Sequence, residues 1–353
     1  MPTKKIDKNI LYIGDLNEGT RSLMRYNIIN EIYSNVSSLS NTVTPFIAGV
    51  HTESFIARIF HKLQLPLDNA KLNNKINDLI IKKLALDIVF IEKSNMIKPS
   101  TITNIAKRFP ESKIISLSED DMYAKHNSSI YYRKSIKYYD AIFTTKKYNL
   151  HELLKIGASR TELFIDSFNE ELHKPLQEFE KIENKDIDIS FIGTFEKERS
   201  ETLLWLAENG IKIIVYGNGW NKLAGKHPNL FISKFAIYGE EYVKTINRTK
   251  INLCFLRKIN RDQVTCRSIE IPGCGGFLLA ERTERHKEFF KEGQEAEFFS
   301  SNHELLLKIN YYLKNSIKII EIGKAGRKKC LDSGYTMKQQ IVNIFNLIET
   351  IKK

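Results

Sequence analysis

The chain has 353 residues, of which 42% are hydrophobic and 10% aromatic, so it can bury more than one core and is not disordered. Its formal net charge is +12, from 54 Lys and Arg against 42 Asp and Glu. A basic balance of this size attracts phosphate-bearing ligands, nucleic acid or anionic lipid, although solvated surface lysines would give the same composition.

Cysteine spacing and hydropathy indicate the compartment. The cysteines Cys254, Cys266, Cys274 and Cys330 have no CxxC spacing, which predicts reduced core residues and neither a disulfide nor a zinc framework. The first residues lack the apolar run of a signal peptide, and no stretch approaches the ~20 apolar residues of a membrane span. We therefore expect a soluble, cytoplasmic protein, with peripheral contact at the inner membrane face left open.

Short apolar runs alternate with longer amphipathic ones along the first half, a pattern typical of parallel α/β architecture. The runs that predict strands are Ile10–Ile13, Thr44–Ala48, Asp87–Glu92, Lys113–Leu117, Tyr139–Thr144 and Leu163–Asp166. Predicted helices start at about Thr20 and at Pro99, and others cover Ser54–Leu63 and Asn149–Ile156.

The α/β pattern restarts after a polar, acidic segment at residues 169–186 that contains Pro175. Strands are predicted at Ile187–Ile192, Ile211–Tyr216, Leu230–Ile232, Ile251–Leu256 and Gly276–Ala280. Helices are predicted between these strands and near His303–Leu313, Ile317–Leu331 and Met337–Ile351.

We expect two tandem Rossmann-like doubly wound domains with a cleft between them. Residues 1–168 form the first domain, 169–186 a linker, 187–335 the second domain, and 336–353 a terminal helix that packs back on the first. Ligands of such sheets bind at the carboxyl ends of the strands, so the loops that follow strands are the candidate sites.

The segment Ile251–Glu281 is the most informative. A buried strand ends at Leu256, a loop carries Arg257, Lys258 and Asp262, and a helix is predicted to start near Val264. Free backbone N–H groups at a helix start, together with arginines, suit a diphosphate. The alternative is an ordinary basic loop with a surface ion pair between Arg267 and Glu270, three residues apart.

The same segment resembles the CgeB-type (spore-maturation-protein-like) glycosyltransferases, within the family-4-like group of GT-B enzymes. That group has an acidic residue, seven intervening residues and a glutamate at its donor site, and Asp262 and Glu270 have this spacing. Asp at the first position departs from the commoner pattern. The resemblance extends over Asp188–Arg199, Tyr216–Trp220, Tyr238–Asn252 and Glu284–Phe299, and more weakly over Ser118–Asp121 and Tyr139–Thr145.

The resemblance implies a role for each matched residue. Glu270 would bind the ribose hydroxyls, Asp262 would face the transferred sugar, and Arg267 with the helix start at Val264-Thr265 would hold the diphosphate, with help from Arg257 or Lys258. The remaining donor residues would be Gly193, Thr194, Tyr216, Gly217, Gly219 and Tyr238, the last stacking on the base. Arg199 could reach a phosphate or be an exposed helix residue, and Trp220 could equally be a packing residue.

Three loops of the first domain are candidates for the acceptor side. Gly14 and Asp15 follow the first strand, His51 lies in the segment after the predicted second strand, and Asp121 ends a run of three acids after Lys113–Leu117. His51 would also be a catalytic candidate, as the base of an inverting enzyme. The acids could bind a metal, position an acceptor or cap a helix, and capping is the reading that we favour.

These features predict transfer of a sugar from a nucleoside diphosphate sugar, UDP-sugar first, to a hydroxyl of a glycan, protein or lipid-linked acceptor. The resemblance implies a retaining enzyme. We expect no metal and no other cofactor, since no aspartate-rich motif appears, and no specific nucleic acid partner. The alternatives are a sugar-nucleotide epimerase or hydrolase on this scaffold and a non-enzymatic polyanion-binding protein, whose best signal is Tyr131–Lys134.

Overall fold

The computed structural model describes residues 4–42, 64–66, 68, 71–93 and 95–353. The chain divides into two compact units, one made of the residues up to Ile165 together with Lys338–Lys353, the other of Asp166–Met337. Of the predicted features, the strand Thr44–Ala48, the helix Ser54–Leu63 and His51 lie outside the described residues.

The first unit contains a parallel six-stranded sheet in the order β2-β1-β3-β4-β5-β6. Its strands are β1 (Ile6–Gly14), β2 (Tyr33–Ser40), β3 (Ile88–Glu92), β4 (Lys113–Ser118), β5 (Ala141–Thr144) and β6 (Thr161–Leu163). Its helices are α1 (Arg21–Ile32), α2 (Leu72–Lys82), α3 (Pro99–Arg108), α4 (Ile130–Ser135) and α5 (Lys147–Lys155). Strands such as β3 are buried along their whole length, as expected for a sheet covered on both faces.

The second unit repeats the architecture with strand order β12-β11-β10-β7-β8-β9, again all parallel. Its strands are β7 (Ile187–Ile192), β8 (Ile213–Tyr216), β9 (Leu230–Ile232), β10 (Thr249–Cys254), β11 (Leu278–Glu281) and β12 (Glu297–Phe299). Its helices are α6 (Lys197–Glu208), α7 (Gly239–Arg248), α8 (Cys266–Gly273), α9 (Glu284–Phe289), α10 (Asn302–Lys314) and α11 (Ser316–Asp332).

The last helix, α12 (Met337–Glu349), completes the core of the first unit. Its apolar face contributes Ile344, Phe345 and Ile348, and the Phe345 ring lies parallel to the Phe90 ring of β3 at 5.9 Å between centroids. The spacing of these residues along a helix is what lets them cover one face of the sheet.

The α/β class is confirmed, since both sheets are parallel and helices connect their strands. Strands β2 and β12 and helices α2 and α9 were not predicted. Strand β6 starts two residues before the predicted Leu163. Helix α8 starts at Cys266 with Thr265 as its N-cap, which agrees with the predicted start near Val264.

Candidate functional site

In the second unit, strand order reverses between β7 and β10. These strands are neighbours in the sheet although β8 and β9 separate them in sequence. In an open parallel sheet the loops at such a reversal diverge to opposite faces and leave a crevice at the carboxyl ends of the two strands. The loop after β7 carries Gly193 and Thr194. The loop after β10 carries Arg257, Lys258 and Asp262. Because the two strands are adjacent and parallel, the predicted residues of both loops lie at the same carboxyl ends of the sheet.

The loops after β7 and β8 are joined by hydrogen bonds. The Gly193 N–H donates to the Tyr216 carbonyl at 2.8 Å, and the Phe195 N–H donates to the Asn218 carbonyl at 2.8 Å. Trp220, 1% exposed, donates its indole N–H to the Gly193 carbonyl at 2.7 Å. Trp220 is therefore a packing residue that fixes the loop which carries Gly193.

Gly217 is required by this close approach. Its φ is +142°, and a Cβ atom there would lie 2.0 Å from the Gly193 carbonyl oxygen. Gly219 also has a positive φ, of 85°. The glycines of this loop thus have a packing reason that is independent of any ligand.

Arg199 connects the two loops at the strand reversal. Its Nη1 donates to the Thr194 carbonyl at 3.1 Å and its Nη2 to the Phe255 carbonyl at 3.3 Å. Arg199 is 6% exposed, so the reading of an exposed helix residue is wrong. Burial lowers its pKa, and Glu196, 3.6 Å from its Nε, opposes that shift.

Helix α8 begins with a capping box. Thr265 is the N-cap residue, and its N–H donates to the Ser268 Oγ at 3.1 Å while its own side chain accepts from the Ser268 backbone. The box fixes the start of α8 beside the loop that follows β10. The first turn of a helix presents N–H groups and the positive end of the helix dipole, which favour an anion.

Arg267 and Glu270 project from α8. The Oε2 of Glu270 accepts from the Tyr242 hydroxyl at 2.9 Å, and Glu270 is 6% exposed, which rules out an exposed surface pair. Burial first, and the neighbouring Glu270 second, raise the pKa of Tyr242. The Nε atoms of Arg267 and of Arg199 are both buried without a hydrogen-bond partner in the described structure, so two donors of permanent cations are left unsatisfied here.

Arg257 and Lys258 are exposed side chains that pair with acids of the neighbouring loop and α6. Arg257 Nε donates to Glu196 at 3.1 Å, and Lys258 pairs with Glu198, which raises the Lys258 pKa. Exposed pairs of this kind contribute little stability and can be exchanged for a ligand anion.

Asp262 and Tyr238 differ in environment. Asp262 accepts from the Asn260 side-chain amide at 2.7 Å, and its N–H donates to the Arg257 carbonyl at 3.1 Å, so the loop is folded on itself. Tyr238, at the N-cap of α7, is 48% exposed and presents an aromatic surface to solvent. Tyr216 is half-buried at the end of β8, and burial raises its pKa.

Sequence reasoning missed three residues of this edge. Tyr242 contacts Glu270, as described. Glu281, at the end of β11, accepts from the Leu256 N–H at 2.6 Å, and burial raises its pKa. His286 lies with its Nε2 2.7 Å from the Ser268 Oγ and its Nδ1 2.7 Å from the Glu281 carbonyl oxygen. A carboxylate directly after a buried strand was the only available signal, and it pointed to Glu281.

The acceptor-side candidates are held by local contacts. A Cβ on Gly14 would lie 2.1 Å from the Ser22 Oγ, and Asp15 Oδ1 accepts from the Asn17 amide at 2.8 Å and the Thr42 hydroxyl at 3.0 Å. Asp121 is fully buried, where its Oδ1 accepts from the Asn149 amide at 2.9 Å and the Ala124 N–H at 3.2 Å. The second contact is that of a turn cap.

The remaining two acids of that run pair with bases. Glu119 accepts from Arg21 at 3.0 Å and from Arg25 at 2.8 Å. Burial raises the pKa of Glu119, but the two arginines outweigh burial and lower it to about 2. Asp120 pairs with Lys93. Within the described ranges, no group of three or more His, Cys, Asp or Glu side chains is placed to hold a metal ion.

The basic and aromatic run at 131–134 forms part of helix α4. Tyr132 is buried, and Arg133 donates to the Ser128 hydroxyl at 3.1 Å and to the Tyr123 carbonyl. The run therefore does not present a row of exposed rings for stacking on bases. The cysteines are free thiols, three of them buried, and no helix in the described part of the chain is long and apolar enough to cross a membrane.

Comparison with known proteins defines the class. The family model described as glycosyl transferase-like matches residues 199–346, which cover most of the second unit and run into α12. No curated protein matches the chain. Residues 199–346 thus match a glycosyltransferase-like domain, which agrees with the predicted enzyme class.

Solved structures agree on the fold. Sucrose-phosphate synthase from Thermosynechococcus elongatus matches with a TM-score of 0.65 and 12% identity, over 97% of this chain and 98% of that one. Anabaena HepE in complex with UDP matches with a TM-score of 0.60 and 10% identity, over 97% of this chain and 100% of that one. An alpha-glucosyltransferase in complex with UDP and a 13-mer DNA matches with a TM-score of 0.64 and 13% identity, over 97% of this chain and 100% of that one. At these identities the likeness establishes the GT-B fold.

The buried His286 makes stability depend on pH. Burial lowers its pKa from 6.5 to about 4, so the unfolded chain takes up the proton first as the pH falls. The free energy of unfolding should therefore decrease by about 2 kcal/mol between pH 7 and pH 5 on account of this residue. Urea unfolding at the two pH values should show a smaller decrease in His286→Asn. The exposed His303 provides the control His303→Asn, and equal decreases in both variants would contradict the assignment.

Proposed function

We propose that the protein transfers a glycosyl group from a nucleoside diphosphate sugar, UDP-sugar first, to a hydroxyl of a glycan, protein or lipid-linked acceptor, with retention and without a metal. The observation that carries the proposal is the buried Nε of Arg267, which has no hydrogen-bond partner in the described structure. Arg267 lies in the first turn of α8, one turn before Glu270, and α8 follows the loop at the strand reversal. A diphosphate would supply the acceptor that this guanidinium lacks. The UDP seen with HepE is the reason to try uridine first.

The roles follow from chemistry at each position. Glu270 accepts from the Tyr242 hydroxyl through its Oε2, and a carboxylate can accept several hydrogen bonds, so we assign it to the ribose hydroxyls. Tyr242 thereby becomes a positioning residue for Glu270. Arg267 and the capped start of α8 at Thr265 face the diphosphate, and Arg257 and Lys258 can leave their surface partners for it.

The remaining donor residues frame the nucleotide. Gly193 and Thr194 form one side of the crevice, and the loop that starts at Tyr216 with Gly217 and Gly219 supports it. Tyr238 offers an exposed ring on which a base can stack. Arg199 is bonded to two carbonyls, and we assign it to holding the loops in place, with a direct phosphate contact left to Arg267.

In the reaction, the bond from the anomeric carbon to the leaving phosphate oxygen breaks and a bond to the acceptor oxygen forms. The acceptor proton passes to the leaving phosphate, so a retaining enzyme needs no protein base. Negative charge grows on the diphosphate, where fixed cations stabilise the transition state more than the ground state. Asp262 faces the sugar, while Gly14, Asp15, Asp121 and His51 stay predictions for the acceptor side, as does the CgeB-type specificity.

Two variants separate the ribose contact from the diphosphate contact. Glu270→Gln should weaken uridine and uridine diphosphate alike, by about 10–100-fold, the equivalent of a lost charged hydrogen bond. Arg267→Ala should weaken uridine diphosphate by a similar factor, leave uridine unchanged, and lower kcat more than it raises the donor KM. Isothermal titration and steady-state kinetics measure both.

Matched substitutions at the exposed Glu241 and the partly exposed Arg248 control for charge. Glu241→Gln at the start of α7 and Arg248→Ala, whose guanidinium pairs with Asp186, should leave both affinities within about two-fold. If Arg267→Ala weakens uridine as much as uridine diphosphate, or Glu270→Gln leaves uridine binding intact, the assignment of roles is wrong.

A chelator tests metal independence. Activity should persist after EDTA treatment, because the proposed diphosphate site relies on Arg267, Arg257, Lys258 and a helix start for its positive charge. Loss of activity in EDTA with recovery on adding Mn²⁺ or Mg²⁺ would show that a cation takes part. Turnover of the donor at the same rate without any acceptor would instead favour the hydrolase or epimerase alternative.

A further inference from the structure

A pocket of about 400 Å³ opens in the second unit at the amino ends of the strands, opposite the carboxyl ends that carry the candidate donor site. Lys185, Asn247 and Gly275 line it, and these residues lie two or three positions before the first residues of β7, β10 and β11. The loops of the candidate donor site follow the carboxyl ends of the same strands. A strand as long as β7, with 6 residues, separates the two edges by roughly 20 Å. The pocket is therefore distinct from the donor site.

The pocket has fixed walls. The Leu176 N–H donates to the Asn247 Oδ1 at 2.9 Å, and the Asn247 amide donates to the Lys174 carbonyl at 3.2 Å, which pins this stretch of chain over the sheet edge. Helix α11 forms the facing wall. Leu176, Phe179 and Ile320 give the pocket an apolar surface. A ligand with a hydrocarbon part would be accommodated here.

Lys185 is the unusual group in this pocket. It is 6% exposed, and its ammonium donates to the Asn247 carbonyl, while no carboxylate pairs with it in the described structure. Burial lowers its pKa to about 8, which still leaves it charged at neutral pH. A buried cation whose one identified partner is a neutral carbonyl is costly, and an anion in the pocket would relieve that cost.

The charges around Lys185 fit a dianion. The pocket is lined by four basic residues and two acids, so the formal net charge of its lining is +2. The bases are Lys185, Lys324, Arg327 and Lys328, and the acids are Glu180 and Asp332. Lys328 pairs with Asp332, Arg327 donates to the His173 carbonyl at 3.1 Å and to the Gly273 carbonyl, and Lys324 is exposed. A phosphate monoester carries a charge of about −1.5 to −2 at neutral pH.

We propose that this pocket binds an amphiphilic phosphate monoester, whose phosphate contacts Lys185 and Lys324 and whose apolar group lies against Leu176, Phe179 and Ile320. The headgroup of a lipid phosphate and a soluble phosphate ester share this chemistry. The site is separate from the donor site and does not depend on the proposed transferase reaction.

Hexyl phosphate is a probe of the stated class. By isothermal titration at neutral pH, it should bind about ten-fold or more tightly than inorganic phosphate, hexanol or hexanoate, because only hexyl phosphate satisfies both the charge and the apolar wall. Saturating uridine diphosphate should leave its affinity unchanged. Binding of hexanoate as tight as that of hexyl phosphate, or competition by uridine diphosphate, would overturn the proposal.

Variants locate the site. Lys185→Met and Lys324→Ala should each weaken hexyl phosphate by about ten-fold or more, as the loss of a charged contact implies. Lys329→Ala, on the same helix but outside the pocket, is the matched control and should change the affinity less than about two-fold. Because Lys324 is exposed, its variant tests the site even if Lys185→Met fails to fold by circular dichroism.

Vesicles that contain phosphatidic acid distinguish the source of the ligand. Binding to these vesicles that Lys324→Ala abolishes identifies a lipid headgroup, and binding of hexyl phosphate without vesicle binding identifies a soluble ester. Both results support the pocket. Absence of hexyl phosphate binding, or an affinity that neither variant alters, would refute it.

Discussion

The reversal of strand order between β7 and β10 is the constraint on which the candidate site depends. It opens a crevice at the carboxyl ends of two adjacent strands, and Arg199 holds that crevice by donating to a carbonyl on each side, at Thr194 and Phe255. A buried guanidinium that satisfies two loop carbonyls fixes the separation of the loops before any ligand arrives. Catalysis by electrostatic stabilisation requires that kind of preorganisation.

Helix α8 depends on the same edge. Its capping box at Thr265 and Ser268 sets where the helix begins. His286, on the following helix, is hydrogen-bonded through Nε2 to the Ser268 hydroxyl and through Nδ1 to the Glu281 carbonyl oxygen. Because α8 is anchored in this way, Arg267 and Glu270 project from a rigid element. Tyr242 then fixes one oxygen of Glu270.

Much of the fold could be predicted because buried parallel strands leave long apolar runs, as in Ile187–Ile192. Strand β2 was missed because its sequence, YSNVSSLS, is mostly polar and lies at the sheet edge. In the candidate site, Glu270 and Asp262 could be proposed from the family resemblance and their spacing within one segment, and their roles stay predictions. Tyr242 and His286 could not, since their partners lie 28 and 18 residues away and no local pattern marks such contacts. Burial of Arg199 was likewise a tertiary outcome.

A crystal structure with uridine diphosphate, or with the nucleoside diphosphate that binds best in a panel, tests the central claim most directly. The account predicts the nucleotide on residues 190–285, with the diphosphate at the start of α8 within hydrogen-bond distance of Arg267 and the ribose hydroxyls on Glu270. A nucleotide bound to the first unit, or to the second unit away from α8, would contradict it.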